Sequence, residues 1–225
     1  MKKNILLLVL FFPILFFGQE NSEEQKTSQK NNASYITFGV SPFQFIISPR
    51  WKFGYIQTIN EKTKVGLTVG IGGNNFVFTS YNSNFKEYFL WEVRPEFYFI
   101  HNPGRRISMY NSIELFYINE DDVILNSSFI TERDNIIYFD QADYNRQKIG
   151  AVVNFGIFIP FTSHFGMNVY AGMGIKWRIN EYSNIINPVL QPGYNEYFWR
   201  SYFKKEGLKV GFEPNFGIKL NLILQ

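Results

Sequence analysis

Leu208-Lys209-Val210-Gly211-Phe212-Glu213-Pro214-Asn215-Phe216-Gly217-Ile218-Lys219-Leu220-Asn221-Leu222-Ile223-Leu224 decides how this chain is read. Every second residue from Leu208 is apolar, and every residue between is polar or glycine except Ile223. Side chains alternate faces along a strand, so this pattern predicts one long strand with an oily face and a charged face. Globular strands rarely exceed about 10 residues. A strand this long and this two-faced separates two unlike media.

The same alternation recurs seven times upstream. It predicts strands over about 34–42, 50–59, 64–78, 87–100, 105–117, 147–159 and 164–178, with 208–224 as the eighth. Each reaches or approaches the roughly 9–11 residues that a tilted membrane-crossing strand needs. The joins at Asn60–Thr63, Asn102–Gly104 and Pro160–Ser163 are tight turns. The joins after strands three, five and seven are longer, and the last two occupy 119–146 and 179–206. Short turns at one end and long loops at the other are the signature of a membrane barrel. The expected fold is all-β: an eight-stranded antiparallel up-and-down transmembrane β-barrel over 34–225, with short periplasmic turns and long extracellular loops.

A soluble lipocalin-like barrel also has eight antiparallel strands, but its oily face points inward. The glycines separate the two. Gly66, Gly70, Gly72, Gly150, Gly156, Gly172, Gly174, Gly211 and Gly217 all share the polar parity. Inside a narrow lumen, absent side chains make room for large polar ones from facing strands. The charges expected in that lumen are Glu92, Arg94, Glu96, Arg106, Glu114, Lys176, Arg178, Lys209, Glu213 and Lys219. Mixed signs in a narrow bore predict a cross-linked plug, not a conduit. Trp51, Trp91, Tyr117 and Trp177 share the apolar parity near the outer strand ends and predict an interfacial aromatic girdle. Pro95 and Pro214 each lack a ladder donor and predict local bulges.

Residues 1–18 carry a basic start, an apolar run from Ile5 to Phe17 and Gly18, the pattern of a cleaved signal peptide. Residues 19–33 are polar and aperiodic and read as a disordered periplasmic tail. Lys2 and Lys3 fall in the leader, which leaves 20 Lys+Arg against 19 Asp+Glu, so no basic tract for nucleic acid remains. No cysteine is present, which excludes a lipid-anchored cysteine and a disulfide framework.

These features together resemble the small eight-stranded outer-membrane β-barrel families of Gram-negative bacteria, of the OmpX and OmpA-transmembrane type. The last strand is also similar to the signal read by the barrel-insertion machinery, carried here by Asn215, Gly217, Leu220 and Leu222. It departs from that signal in using leucines where aromatics are usual and in ending on Gln225. The resemblance implies outer-membrane residence. Its partners would be membrane lipid and lipopolysaccharide, the insertion machinery during assembly, and an extracellular ligand or envelope protein.

Catalysis has little to work with. His101 and His164 fall at predicted periplasmic turns on different hairpins, and His164 as a strand neighbour of Ser163 would face away from it. No metal-ligand spacing occurs and no cofactor is expected. The segment 119–146 is acidic, with Glu120, Asp121, Asp122, Glu132, Asp134, Asp140 and Asp143 against Arg133 and Arg146. Three readings stand: a loop folding back over a basic mouth formed by Lys52, Lys148, Lys176, Arg178 and Lys209, a solvated loop, or a loop bridged to lipopolysaccharide by divalent ions. The aromatic run from Tyr194 to Phe203 is either a binding surface or a strand extension. The expected function is non-enzymatic, structural or surface-interacting through 119–146 and 179–206. The alternatives are an accessory subunit of an envelope secretion or transport assembly, and a lipid-modifying enzyme.

Overall fold

Alternating sequence becomes a closed wall. The computed structural model describes residues 33–40, 49–74, 86–103, 105–191 and 204–224. Its strands are β1 (Ser34–Val40), β2 (Trp51–Asn60), β3 (Thr63–Gly73), β4 (Phe89–Ile100), β5 (Ser108–Ile130), β6 (Ile136–Pro160), β7 (Phe165–Ile186), β8 (Val189–Gln191) and β9 (Gly207–Leu224). From β1 to β7 each strand pairs antiparallel with the next. β9 then pairs with both β7 and β1, from Ser34↔Leu224 to Val40↔Ile218, and closes the ring. Eight strands make the wall. β8 lies outside it as a short strap on Ile136–Tyr138 of β6.

The register sets the geometry. A row of cross-strand partners beginning at Phe38 passes through Phe53, Val69, Val93, Tyr117, Ile149 and Trp177 to Val210. Phe38 itself pairs with Leu220, ten positions further along β9 than Val210. Eight strands with a shear of ten must tilt by roughly 40°, given strand spacing and rise. Such a barrel is narrow enough for its own side chains to fill.

The two faces separate cleanly. Outward Phe97, Ile175 and Leu220 are 41%, 53% and 50% exposed, whereas inward Glu92 and Lys219 are 2% and 3% exposed. The polar parity therefore lines the lumen. Glycine makes the room predicted for it. A Cβ on Gly70 would lie 2.5 Å from the Glu92 side chain, and one on Gly156 would lie 2.4 Å from the Tyr110 ring.

Several expectations change. The segment 119–146 is not a loop. β5 and β6 continue as one hairpin, paired from Ser108↔Phe158 to Ile130↔Ile136, and β7 follows alongside as far as Ile186. The hairpin tip, with Asp134 in the left-handed region, leans onto the start of β9. There the Glu206 N–H donates to the Ile130 carbonyl at 2.8 Å, Lys204 Nζ donates to Ser128 Oγ at 3.1 Å, and Lys205 pairs with Asp134. Gly207 has φ +79, and a Cβ there would meet Glu132, so only glycine fits under the tip.

No bulge forms at either proline. Around Pro95 the β4–β5 rungs lapse between Val93 and Glu96 while the register holds, because a missing N–H removes a bond without adding a residue. Pro214 pairs in register with Met173 and lies beyond the part of β9 that pairs with β1. Register shifts occur instead near Thr58/Asn60 and Gln141/Asp143. The predicted leader 1–18, nearly all of the predicted tail 19–33, and the aromatic run Tyr194–Phe203 lie outside the described residues.

Candidate functional site

The lumen is built in layers. At the turn end, Ile56, Tyr98, Ile100, Tyr110, Phe158 and Tyr170 form a buried aromatic floor. Lys64 closes it from below, donating to Tyr35 Oη at 2.9 Å and Thr58 Oγ1 at 2.7 Å. Above the floor, Lys219 Nζ donates to both Glu96 oxygens at 2.5 and 2.6 Å, and Tyr98 donates to the same carboxylate. Thr68 Oγ1 donates to Glu96 Oε1 at 2.8 Å.

A second hub stands beside the first. Glu92 pairs with Arg50 Nε and Arg94 Nε, each at 2.9 Å, and lies 3.4 Å from Lys52 Nζ. Arg94 also binds Glu114, which takes Asn215 Nδ2 at 3.3 Å. Arg94 lies 5.0 Å from the centre of the Phe116 ring. Charged groups from four strands, β2, β4, β5 and β9, are thus cross-linked through the bore.

Higher up, Lys176 Nζ pairs with Glu213 at 2.6 Å, and Arg146 pairs with Glu120. Arg178 is fully buried. One wall is apolar there, made by Tyr88, Leu90, Phe116, Ile118 and Val152. Over this level the extended hairpin supplies a roof of Ile124, Phe129, Phe139, Ala142 and Tyr144, against which Tyr182 of β7 packs. Phe129 and Tyr182 stack at 4.3 Å. Asn180 Nδ2 donates to the Lys205 carbonyl at 2.9 Å and ties the roof to β9.

Of the ten charges assigned to the lumen, Glu92, Arg94, Glu96, Glu114, Lys176, Arg178 and Lys219 are buried there, and Lys209 and Glu213 are half-buried on the inward side. Arg106 is not among them. It is exposed in the β4–β5 turn, two residues before β5 begins, where strand parity has no meaning. Arg50, Glu120 and Arg146 join the lumen charges, as do Lys52 and Lys148 of the expected basic mouth. Glu120 and Arg146 fall in the expected loop, where mixed polarity obscures the inward alternation of Ile118, Glu120, Asp122 and Ile124.

The aromatics Trp51 and Trp91 share one register row through Ile71, and Tyr117 and Trp177 share the next through Ile149. Trp91 and Tyr117 touch, with centroids 5.2 Å apart. The shear makes each row climb the wall towards the hairpin end, so these rings occupy a slanting zone, not one level. On β9, Asn215 and Gly217 face the lumen while Leu220 and Leu222 face outward. Ser163 and His164 do meet, with Oγ and Nδ1 2.8 Å apart, because both stand in the β6–β7 turn, not on a strand. Both are exposed. His101 is exposed in the β4–β5 turn.

Asp122 is buried under the hairpin, above the apolar part of the wall. Its Oδ1 accepts from the N–H groups of Val123 at 2.7 Å and Glu87 at 3.2 Å, while Oδ2 has no hydrogen-bond partner among the described residues. Burial pushes this carboxyl up to about 7, with nearby Glu120 adding to the rise. Between the ordinary carboxylate range and pH 7 the folded chain therefore keeps a proton that the unfolded chain has released. The stabilisation is full at low pH and is lost as pH rises through about 7. Amide protection factors of Asn119–Leu125 should fall between pH 5 and pH 8, and Asp122→Asn should flatten that fall. An unchanged pH profile in the variant would remove Asp122 as its cause.

No family model matches the chain, and no curated protein matches it. The chain is similar to two solved structures. One is a major outer membrane protein from Thermus thermophilus, with TM-score 0.45 and 8% identity over 85% of this chain and 99% of that one. The other is CarO from Acinetobacter baumannii, with TM-score 0.42 and 10% identity over 88% of this chain and 100% of that one. The barrel assignment rests on the closed ring of strand pairings.

Proposed function

We propose that this chain is a non-enzymatic integral β-barrel of an outer membrane, holding a paired hairpin outside as a structural or surface-interacting element. The exposed apolar wall carries the reading. Val153, Phe155, Met173, Ile175, Val210 and Phe212 on three adjacent strands are each more than half exposed. Soluble monomers rarely expose a contiguous apolar patch beyond a few hundred Å². In hydrocarbon the same wall is favourable, and a closed ring leaves no strand edge unpaired. Lipid and lipopolysaccharide would meet this wall, and the insertion machinery would read the end of β9. The filled lumen supports a plug, not a route for solutes.

The surface-interaction part has its own support. Val189 and Leu190 on β8 are 60% and 61% exposed, beside exposed Tyr138 and Ile186, well above the apolar wall. Outer-membrane fractions should show a band whose gel mobility changes on boiling, and protease added to intact cells should cut near the hairpin tip, 131–135. A periplasmic protein of unchanging mobility would overturn the proposal.

A further inference from the structure

A cleft of about 390 Å³ opens in the hairpin, between the upper parts of β5 and β6, the β8 strap and Lys204. Sites for small ligands begin at about 300 Å³. The register builds this one. Ser128, Tyr138 and Val189 are direct partners across β5, β6 and β8, so they share one face. Asn126 and Asp140 stand opposite each other between the rungs Leu125↔Gln141 and Ser127↔Phe139, and Asn187 Nδ2 donates to Asp140 Oδ2 at 2.6 Å. Asn126 and Asn187 both lie in the left-handed region, with φ 45 and 54, where asparagine is favoured over most residues.

The lining selects the chemistry. Tyr138 is 42% exposed, and neither its ring nor its hydroxyl has a partner among the described residues. The Asn126 amide is likewise open among them. The charged side chains of the lining among the described residues, Asp140 and Lys204, cancel, so the cleft has no preference for an ion. Its apolar surface is one ring and one valine, because Phe139 turns down into the roof, and that is too little to hold an acyl chain. What remains is a flat apolar platform, Tyr138 beside Val189, edged by amides, a carboxylate and hydroxyls that both donate and accept. A sugar ring presents the complement: a C–H face for the platform and hydroxyls around its rim.

We propose that this cleft binds a neutral pyranose sugar, stacked on Tyr138 and hydrogen-bonded by Asn126, Asp140 and Asn187. The proposal names a ligand for the surface-interacting hairpin and rests on that role for access from outside the cell. The β5–β6 ladder, paired to Ile130↔Ile136, fixes the cleft before the sugar arrives.

The test is a saturation-transfer NMR titration of the folded chain, in a detergent without a sugar headgroup, with methyl glucoside, methyl galactoside, methyl mannoside and N-acetylglucosamine. Saturable binding of at least one, with Kd of about 1 mM, is expected of a single ring in an open cleft. Tyr138→Ala should weaken it at least about tenfold, whereas Tyr138→Phe, which keeps the ring, should stay within about threefold. Asn126→Gly keeps the left-handed backbone and removes the amide, and should weaken binding about threefold or more. Heat-dependent mobility verifies that each variant has folded. Sugars of the cell's own lipopolysaccharide and sugars from outside share this chemistry, and vesicles made with and without lipopolysaccharide separate them. Lipopolysaccharide that occupies the cleft abolishes the signal, and a cleft for foreign sugar keeps it. Absence of saturable binding to all four probes, or equal affinity in Tyr138→Ala, overturns the proposal, and heat-dependent mobility that persists in the same samples leaves the barrel reading standing.

Discussion

Replacing Lys219 by methionine should lower the free energy of unfolding by about 3–5 kcal/mol, the usual cost of stranding one partner of a buried ion pair. Lys219 Nζ lies 2.5 Å from Glu96 Oε1, and both side chains are almost wholly removed from solvent. Without the ammonium, Glu96 retains only neutral donors, Thr68 and Tyr98, for a full buried charge. The double variant Lys219→Met/Glu96→Gln should be less destabilised than Lys219→Met alone, because no uncompensated charge remains. Urea unfolding in lipid vesicles measures both. A loss below about 1 kcal/mol, the value of an exposed pair, would place these groups in water.

Val153→Arg should cost about 2–4 kcal/mol in a bilayer, since charge on the lipid face is penalised most near the midplane. Val153 sits between Ile113 and Met173 on the outward face, with apolar neighbours above and below on β6. Val153→Leu should be nearly neutral. In a water-soluble barrel an exposed Val→Arg change stays within about 0.5 kcal/mol. Comparing the two variants in the same vesicles isolates the charge from the change of size.

The wall of this barrel is legible because each strand faces two unlike media. The alternation of Leu208–Leu224 foretells a strand observed over Gly207–Leu224. Parity then sorts the charges, and the glycines say which face is crowded. The hairpin above the wall was not legible in the same way. From Asn119 to Arg146 the outward side chains meet water, so Asn119, Asp121 and Asn145 replace the oily residues that signal a strand below. The ladder that holds this segment is a long-range pairing that no local pattern displays. The inward alternation of Ile118, Glu120, Asp122 and Ile124 was the one available sign, and mixed polarity obscured it. Arg106 shows the converse error: parity counted past a strand end assigns a face where none exists. Ser163 and His164 show the same limit, since a turn can bring neighbours together that a strand would separate.

The central claim is that lipid covers the oily side of the wall while the polar side fills the bore. A nitroxide scan of single cysteines along Ile149–Ile157 of β6 tests it directly, and no native cysteine interferes. Labels at Ile149, Ala151, Val153, Phe155 and Ile157 should be open to oxygen and closed to a water-soluble nickel complex. Labels at Val152 and Asn154 should be shielded from both. Nickel access at the odd-numbered positions equal to that of the hairpin tip would contradict the account.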